Sequence, residues 1–438
     1  MKKATAAFGL LWLALLLVAS MLILPASPAT ANVTENSWVT MEPIPETLLG
    51  IRAAAANGKI YVMGDSINYE YDPATNNWTS RAPMPTPRNA FEIAVYQNKI
   101  YAIGGKSGWT QATGDIYSGA NEVYDTSTDT WKTMKSMPTN RSDVGASVVN
   151  GKIHLIGADI HEVYDVYNDS WTTGQSKSFP SLLYGYSSVV FDDKIYLITW
   201  DQTQIYDSKS DSWSVGASPP VNVSGAGVCA TTGSMAPKRI YVIGGGQGFE
   251  GIDSTQVYDP HTDTWTLGAP MPTARLGLTV AVVNDQIYAI AGMRSAIFSP
   301  ALTVNEQYTP FEYGTPDPYY DGAPPEITLI SPENKTYYKT SIPLEFSVNE
   351  PVSWMRYELD NETIAEISGN TTINGLSLGS HNLTVYATDD AGNTGVCQTI
   401  HFKVAEEPFP ATWVAAAVIV AVIVVGAGLL IYFRKRRH

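Results

Sequence analysis

A Tyr-Asp pair followed by Trp, seven residues after the Tyr, occurs five times: Tyr71–Trp78, Tyr124–Trp131, Tyr164–Trp171, Tyr206–Trp213 and Tyr258–Trp265. Equal spacing in every copy marks one supersecondary unit used repeatedly, and such a repeat constrains the fold more than any local propensity. Upstream of each Tyr lies a short β-branched and aromatic run: Lys59–Gly64, Lys99–Gly104, Lys152–Gly157, Lys194–Ile198 and Arg239–Gly244, with a sixth at Gln286–Ala291. A further apolar run precedes these, as in Ile93–Val95, Ala146–Val149 and Thr279–Val283. Three copies begin with a proline turn ending in Arg: Met84–Arg88, Met137–Arg141 and Met271–Arg275. The unit is therefore four short strands, a to d, joined by turns. Strand b ends at the Gly, strand c at Tyr-Asp, and strand d starts at the Trp. A lone four-stranded sheet cannot bury both faces, so the copies must pack on one another, and radial closure leaves few free edges.

The order strand b, Gly-Gly (Gly104-Gly105, Gly244-Gly245), Tyr-Asp, Trp resembles the kelch repeat over roughly 36–311. The resemblance implies a β-propeller with one four-stranded sheet per blade. The glycine pair is intact only in the second and fifth copies, and Thr199-Trp200 replaces it in the fourth, where a different bend is expected. Six b strands are present, but Tyr308 has no Trp seven residues on, while Trp38 stands alone near the N-terminus. Trp38 is expected to supply the missing d strand, closing six blades with one strand from each end. In this reading Trp38, Trp78, Trp131, Trp171, Trp213 and Trp265 are scaffold.

From the residue after strand b to the c-strand Tyr the distance is six residues in copies one, three and four, nineteen in two, thirteen in five and sixteen in six. All b–c connections share one propeller face with the d–a turns. That face gathers Trp109 and Tyr117, Phe249 and Glu250, Arg294 and Phe298, with Arg52, Arg88, Arg141 and Arg275 from the d–a turns. It resembles the face many kelch propellers use for protein partners, so these residues are the expected recognition surface. The bland alternative is that insertions accumulate there without a ligand and the arginines cap neighbouring carbonyls. Charge reversal at Arg88 and Arg141 is the corresponding test.

Kelch propellers include enzymes, such as copper-dependent galactose oxidases and sialic acid mutarotases. A copper site needs converging imidazole and phenolate donors. Of six histidines, His154 fills a strand-b slot that holds Tyr elsewhere, His261 lies in a c–d turn, His381 and His401 belong to the next domain, and His438 ends the tail. Only His161, read as part of a short loop, remains. No nucleophile elbow, His-Glu-x-x-His or phosphate loop occurs. Asp192-Asp193 and Asp389-Asp390 read as turn residues, although a pair of carboxylates brought together only in space is invisible to sequence. The expectation is no catalytic residue, no metal and no cofactor, with one weak candidate for calcium at Asp389 and Asp390.

Residues 1–31 carry the charged, apolar and small-residue plan of a secretory signal peptide, with an uncleaved anchor as the alternative. Residues 411–433 contain no charge and as a helix span about 34 Å, enough for a hydrocarbon core. The basic tail 434–438 comes next, which places it inside and the bulk outside, as in a single-pass type I cell-membrane protein. Trp413 and Tyr432 suit the two interfaces. The net charge of −15 makes nucleic acid an unsuitable partner. Two distant cysteines, Cys229 and Cys397, exclude a multi-bridge framework and read as small buried hydrophobes. Sequons start at Asn32, Asn77, Asn140, Asn168, Asn222, Asn334, Asn361, Asn370 and Asn382, all on the side assigned to the exterior.

After a linker at 313–325, short strands are expected at Ile327–Ile330, Ile342–Val348, Ser353–Leu359, Thr371–Leu376, His381–Thr388 and Thr399–Val404. The segment 326–404 looks like the immunoglobulin-like β-sandwiches of prokaryotic surface proteins, notably in Ser331–Asn334 and the turn Asp389–Asn393. The fold class is thus all-β: a six-bladed kelch-type propeller (32–312), an immunoglobulin-like sandwich acting as spacer, and one transmembrane helix. The function expected is extracellular recognition or adhesion toward a protein or glycan. The alternatives are a carbohydrate-active or oxidative enzyme and a structural, glycosylated envelope component.

Overall fold

The structure is a computed structural model that describes residues 34–436 apart from 47–48, 113, 143, 150, 158–159, 167, 178–186, 298, 318–322, 350–351, 353, 361, 368, 390–392 and 408–410. Residues 1–31, expected to be a signal peptide, and Asn32, Phe298, Asn361, Asp390 and His438 lie outside the described residues.

Six four-stranded antiparallel sheets account for residues 37–309. In sheet two, Glu92–Tyr96, Lys99–Ile103, Asn121–Asp125 and Thr130–Met134 are strands a, b, c and d. The first strands of the sheets are Arg52–Ala56, Glu92–Tyr96, Gly145–Val149, Ser187–Phe191, Gly227–Ala230 and Thr279–Val283. Each contacts the next, and the last contacts the first, so the sheets form a closed ring with strand a innermost. In sheet six the outer strand is Ser37–Met41, which pairs with Asn305–Thr309 so that Trp38 sits opposite Tyr308. The tyrosines and isoleucines of strands b and c fill the spaces between sheets: Ile60, Ile100, Ile153, Ile195, Ile240 and Ile287 are fully buried.

The Tyr-to-Trp spacing has a specific polar cause. Five residues after each Tyr, and two before each Trp, the chain places Asn76, Asp129, Asp169, Asp211 or Asp263, all with positive φ, a backbone state that Asn and Asp tolerate. The Tyr hydroxyl donates to that side chain at 2.5–2.7 Å. The same oxygen accepts a backbone N–H from the preceding sheet, at Glu42, Ala82, Lys135, Gln175 and Ala217, over 2.6–2.9 Å. The Trp Nε1–H then donates to the carbonyl of that same residue at 2.8–3.0 Å. The sixth seam uses one chain end to complete the set: Tyr308 donates to Asn36, Ala269 N–H donates to Asn36, and Trp38 donates to Ala269 O. Each such bond contributes on the order of 1 kcal/mol.

The glycine pairs have an equally local reason. Gly104 and Gly105 have φ of 70° and 101°, and Gly244 and Gly245 have 62° and 97°. A Cβ on Gly105 would overlap Asn89 O and Phe91, in the segment that leads into its own sheet's inner strand. In sheet four, where the pair is missing, Thr199 N–H closes directly on Gln202 O at 2.9 Å, a tight turn.

Residues 327–404 form two facing sheets. One contains Ile327–Ser331, Ile342–Val348 and Thr371–Ile373; the other contains Thr336–Tyr337, Ile400–Val404, Gly379–Thr388, Trp354–Leu359 and Glu362–Glu366, with Thr394–Val396 paired to Gly379–Thr388. Ile342, Leu344 and Phe346 meet Leu383, Val385, Phe402 and Val404 in the core. The short strands at 336–337, 362–366 and 394–396 were not expected from the sequence, because so few residues carry no readable alternation. Ala411–Lys435 is a helix of 25 residues, and its Val418–Lys435 stretch, with mean hydropathy 2.1, is long and apolar enough to cross a membrane.

Candidate functional site

Strand alternation puts the b–c connections and d–a turns on one face of the ring. The long b–c connections there are partly ordered as hairpins. Lys106–Thr110 pairs with Gly114–Tyr117, and Gly246–Gln247 pairs with Glu250–Gly251. Trp109 is 66% exposed at the first tip and Phe249 is 53% exposed at the second. Tyr117 and Ile116 are exposed beside Trp109, and Lys106 lies 5.8 Å over the Tyr117 ring while pairing with Asp115 at 3.0 Å. The sheet-five hairpin is tied to the sheet-six connection by Gly251 N–H to Arg294 O (2.7 Å), Ala296 N–H to Phe249 O (2.8 Å) and Ser295 Oγ to Glu250 (3.0 Å). That tie brings exposed Phe249, Ile297 and Arg294 onto one side of the ring.

The d–a arginines are corrected by the structure. Arg88 and Arg275 are completely buried. Arg88 forms an ion pair with Glu122 and donates to Thr86 O (2.8 Å) and Ala102 O (2.7 Å); Arg275 forms one with Glu306 and donates to Thr273 O (2.9 Å) and Ala289 O (2.9 Å). The threonine hydroxyls of the same turns, Thr86 and Thr273, donate to those carboxylates at 2.7 Å. Burial lowers both guanidinium pKa values and the facing carboxylates oppose it, so the arginines stay charged. The backbone carbonyls of Arg88, Arg141 and Arg275 also accept N–H groups from Asp65, Gly105 and Gly245 of the preceding sheet, at 2.8–3.0 Å. The Met-Pro-Thr-x-Arg turn is therefore a seam element, and reversing the charge of Arg88 tests folding, not recognition. Arg141 has its Nη2 on Gly157 O at 3.2 Å. Arg52 is half-buried and pairs with Glu92 at 3.0 Å.

His161 is in strand Ile160–Asp165, not a loop, and is buried against His154. Its Nδ1 lies 3.1 Å from Gln175 O, which can only accept, so that nitrogen carries the proton. Its Nε2 then accepts from His154 Nδ1 at 2.9 Å. Burial, then the neighbouring His161, brings His154 down to about 3, and burial lowers His161 as well. His161 stands three residues before its Tyr, where Asn68, Asn121, Thr203 and Asn305 likewise donate to the carbonyl that receives the Trp. This repeated polar slot was readable in the sequence and was missed.

The inner strands read Arg-Ala-Ala-Ala-Ala, Glu-Ile-Ala-Val-Tyr, Gly-Ala-Ser-Val-Val, Ser-Ser-Val-Val-Phe, Gly-Val-Cys-Ala and Thr-Val-Ala-Val-Val. Arg52 and Glu92 are their only Asp, Glu, Lys or Arg residues, and they neutralise each other at the b–c end. Burial raises the Tyr96 and Cys229 pKa values. No cluster of three or more metal-type ligands occurs among the described residues. Asp389 accepts from Asn393 N–H (2.8 Å) and Asn393 Nδ2 (2.9 Å).

A family model described as the KLHDC2/KLHL20/DRC7 Kelch-repeats domain matches residues 68–292, just over half of the sequence. The chain belongs to this kelch-repeat family. Kelch-repeat domains commonly mediate contacts between proteins. Kelch-like protein 15 of Danio rerio is 45% identical over 62 residues, 13% of this chain and 10% of that protein. Kelch-like protein 35 of Mus musculus is 37% identical over 81 residues, 18% and 13%. Halomucin of Haloquadratum walsbyi is 35% identical over 96 residues, covering 20% of this chain and 1% of that protein. The kelch chain thus spans only a small part of the curated relatives it matches. The solved structure titled "Structure of YjhT" superposes with a TM-score of 0.53 at 16% identity, over 60% of this chain and 95% of the other, a likeness of fold.

Proposed function

We propose that this chain is a cell-surface recognition or adhesion protein whose six-bladed kelch propeller engages a protein or glycan partner through its b–c face. The observation that carries the reading is a contrast of side chains. The inner strands offer Arg52 and Glu92 as their charged side chains, paired at one end, and their remaining titratable groups, Tyr96 and Cys229, are pushed up by burial, which suits neither to acid–base work near neutral pH. The exposed aromatic residues Trp109, Tyr117 and Phe249 stand on the hairpins of one face. Rigid aromatics on a scaffolded loop are the usual anchors of a binding surface. In this reading residues 326–404 are an immunoglobulin-like spacer and the helix Ala411–Lys435 is a single type I span, with Arg434 and Lys435 in its last turn on the inner side.

The test is the double variant Trp109→Ala/Phe249→Ala in the full-length protein, displayed on cells and probed with a glycan array and a library of surface ectodomains. Loss of at least tenfold in binding with unchanged unfolding is expected. A folded double variant that retains the wild-type binding profile would remove this face from the site.

A glycosylated envelope role has separate support. Asn77, Asn140, Asn168, Asn222, Asn334 and Asn370 are exposed, while Asn382 is half-buried. Intact-glycopeptide mass spectrometry on protein from its native source should find hexose-bearing peptides at the exposed positions; unmodified peptides throughout would exclude that role.

A further inference from the structure

The connection between the first two strands is a two-residue turn in five of the sheets, such as Asn57-Gly58 and Asn284-Asp285, but in sheet five it runs from Thr231 to Arg239. This insertion lies on the face opposite the aromatic hairpins, because a–b and b–c connections leave opposite ends of the strands. It is a folded object. Thr231 N–H donates to Arg239 O (3.0 Å), Arg239 N–H to Thr231 Oγ1 (2.9 Å), and Thr231 Oγ1 to Pro237 O (2.7 Å). At its centre is Asp285 from the sheet-six turn, fully buried. Its carboxylate accepts from Thr232 N–H (2.5 Å), Thr232 Oγ1 (2.8 Å), Met235 N–H (2.7 Å), Ala236 N–H (3.1 Å) and Ser234 Oγ (3.3 Å).

The shaped loop holds another part of the chain. Gly314 N–H donates to Met235 O (2.6 Å), Asp317 N–H to Gly233 O (2.8 Å), and Lys238 N–H to the Asp317 carboxylate (2.7 Å). Arg239 pairs with Glu312 at 2.7 Å, and the Tyr313 hydroxyl donates to Asn284 O at 3.1 Å. Glu312 N–H also donates to Glu35, from the strand-closing N-terminal segment. Composition alone reads residues 313–325 as a linker, yet their first part is held to the ring by these backbone and side-chain bonds.

We infer that the Thr231–Arg239 loop is a docking site for the chain's own outgoing segment Glu312–Asp317, and that its role is to fix the direction in which the propeller is presented. Both ends of the ring leave on this face, since Ser37 pairs with Thr309 and Asn36 N–H lies 3.4 Å from Pro310 O. A clamped exit keeps the aromatic face turned away from the C-terminal part of the chain. A free linker would let either face swing toward it.

The test uses the full-length protein in nanodiscs. Hydrogen exchange at the Gly314 and Asp317 amides should be at least tenfold slower than in an isolated peptide of residues 310–325. Replacing Thr232–Lys238 by Asn-Gly, the turn that sheet one uses between Ala56 and Lys59, should raise both rates to the peptide's, while amides of Gln286–Ile290 stay protected. Spin labels at Lys132→Cys and Lys339→Cys report the same event as a distance distribution that broadens in the loop variant; Cys229 and Cys397 are buried and do not compete. Asp317→Ala, at a residue outside the ring's seams, provides the same readouts if the loop replacement does not fold. Peptide-like exchange in the wild type, or an unchanged distance distribution once the clamp is cut, would overturn the inference.

Discussion

The ring and the two-sheet domain C-terminal to it are both antiparallel β, yet they are closed by different means. Between the sheets of the ring, apolar contacts are stitched at every seam by bonds among Tyr, Trp and an Asp or Asn and, at two seams, by a buried arginine on a glutamate. The two-sheet domain buries Leu344, Leu383, Val385 and Phe402 against one another with few polar groups inside. A ring must choose a partner for each sheet and stop at a definite number, and directional bonds impose that choice. Two faces of a sandwich need only cover each other, and non-directional burial suffices.

The contrast is broken most severely at the buried pairs. Arg275→Ala leaves the Glu306 carboxylate buried without its cation, with the Thr273 hydroxyl still donating to it, a loss of about 3–5 kcal/mol in the propeller transition, whereas Arg275→Met with Glu306→Leu should recover most of it. In the sandwich Leu383→Ala costs about 2–5 kcal/mol through the cavity it opens. Calorimetry and urea unfolding, followed with one probe in each domain, separate the two; a propeller indifferent to Arg275→Ala would mean that the seam is held by apolar contact alone.

Next come the latches. Asp129→Ala removes the acceptor shared by Tyr124 OH and Ala82 N–H, so about 1–3 kcal/mol should be lost. Asn36→Ala cuts the equivalent bonds where the chain closes on itself and should also increase protease sensitivity near the N-terminus.

Protons sharpen the comparison with opposite signs. His154 and His161 are held neutral by burial, so in acid the unfolded chain takes up protons that the folded chain refuses. Propeller stability should fall as pH drops below the unfolded value of about 6.5. His381 of the sandwich behaves otherwise. Burial opposes its charge, but Ser377 O and the Asp360 carboxylate, both at 2.8 Å, outweigh it and raise the pKa. Its contribution is complete below about pH 6.5 and is lost as pH rises through the raised folded value. Domain-resolved melting from pH 4 to 9 should show the two trends crossing; the pair His154→Phe/His161→Asn should abolish the first and His381→Gln the second. The smallest effect on stability, within about 0.5 kcal/mol, is expected for Trp109→Ala with Phe249→Ala, because exposed tips hold nothing together.

Much of this was legible in the chain. Tyr and Trp spacing, the glycine pairs and the orphan Trp38 were enough to outline repeated sheets and the pairing of Trp38 with Tyr308, since strand alternation and turn chemistry act over a few residues. The aromatic tips Trp109 and Phe249 were legible as long insertions. The roles of Arg88 and Arg275 were legible in part: the capping of neighbouring carbonyls was the alternative reading of these turns, but the buried ion pairs were not, since Glu122 and Glu306 lie 34 and 31 residues away in sequence. The short strands of the sandwich escaped for want of length, and the insertion Thr231–Arg239 was passed over because nothing local says what it holds.

By itself, then, the sequence determined the repeat, its strand order, the short-strand β pattern of residues 326–404 and an apolar helix at the end, all consequences of patterns that repeat within a few residues. Only the tertiary structure decided which polar side chains serve seams and which face solvent, that His161 and His154 share a hydrogen bond, and that Glu312–Asp317 is bound to the ring. Those outcomes depend on which groups meet after the chain has closed, and burial and hydrogen-bond geometry between distant residues are set by that closure.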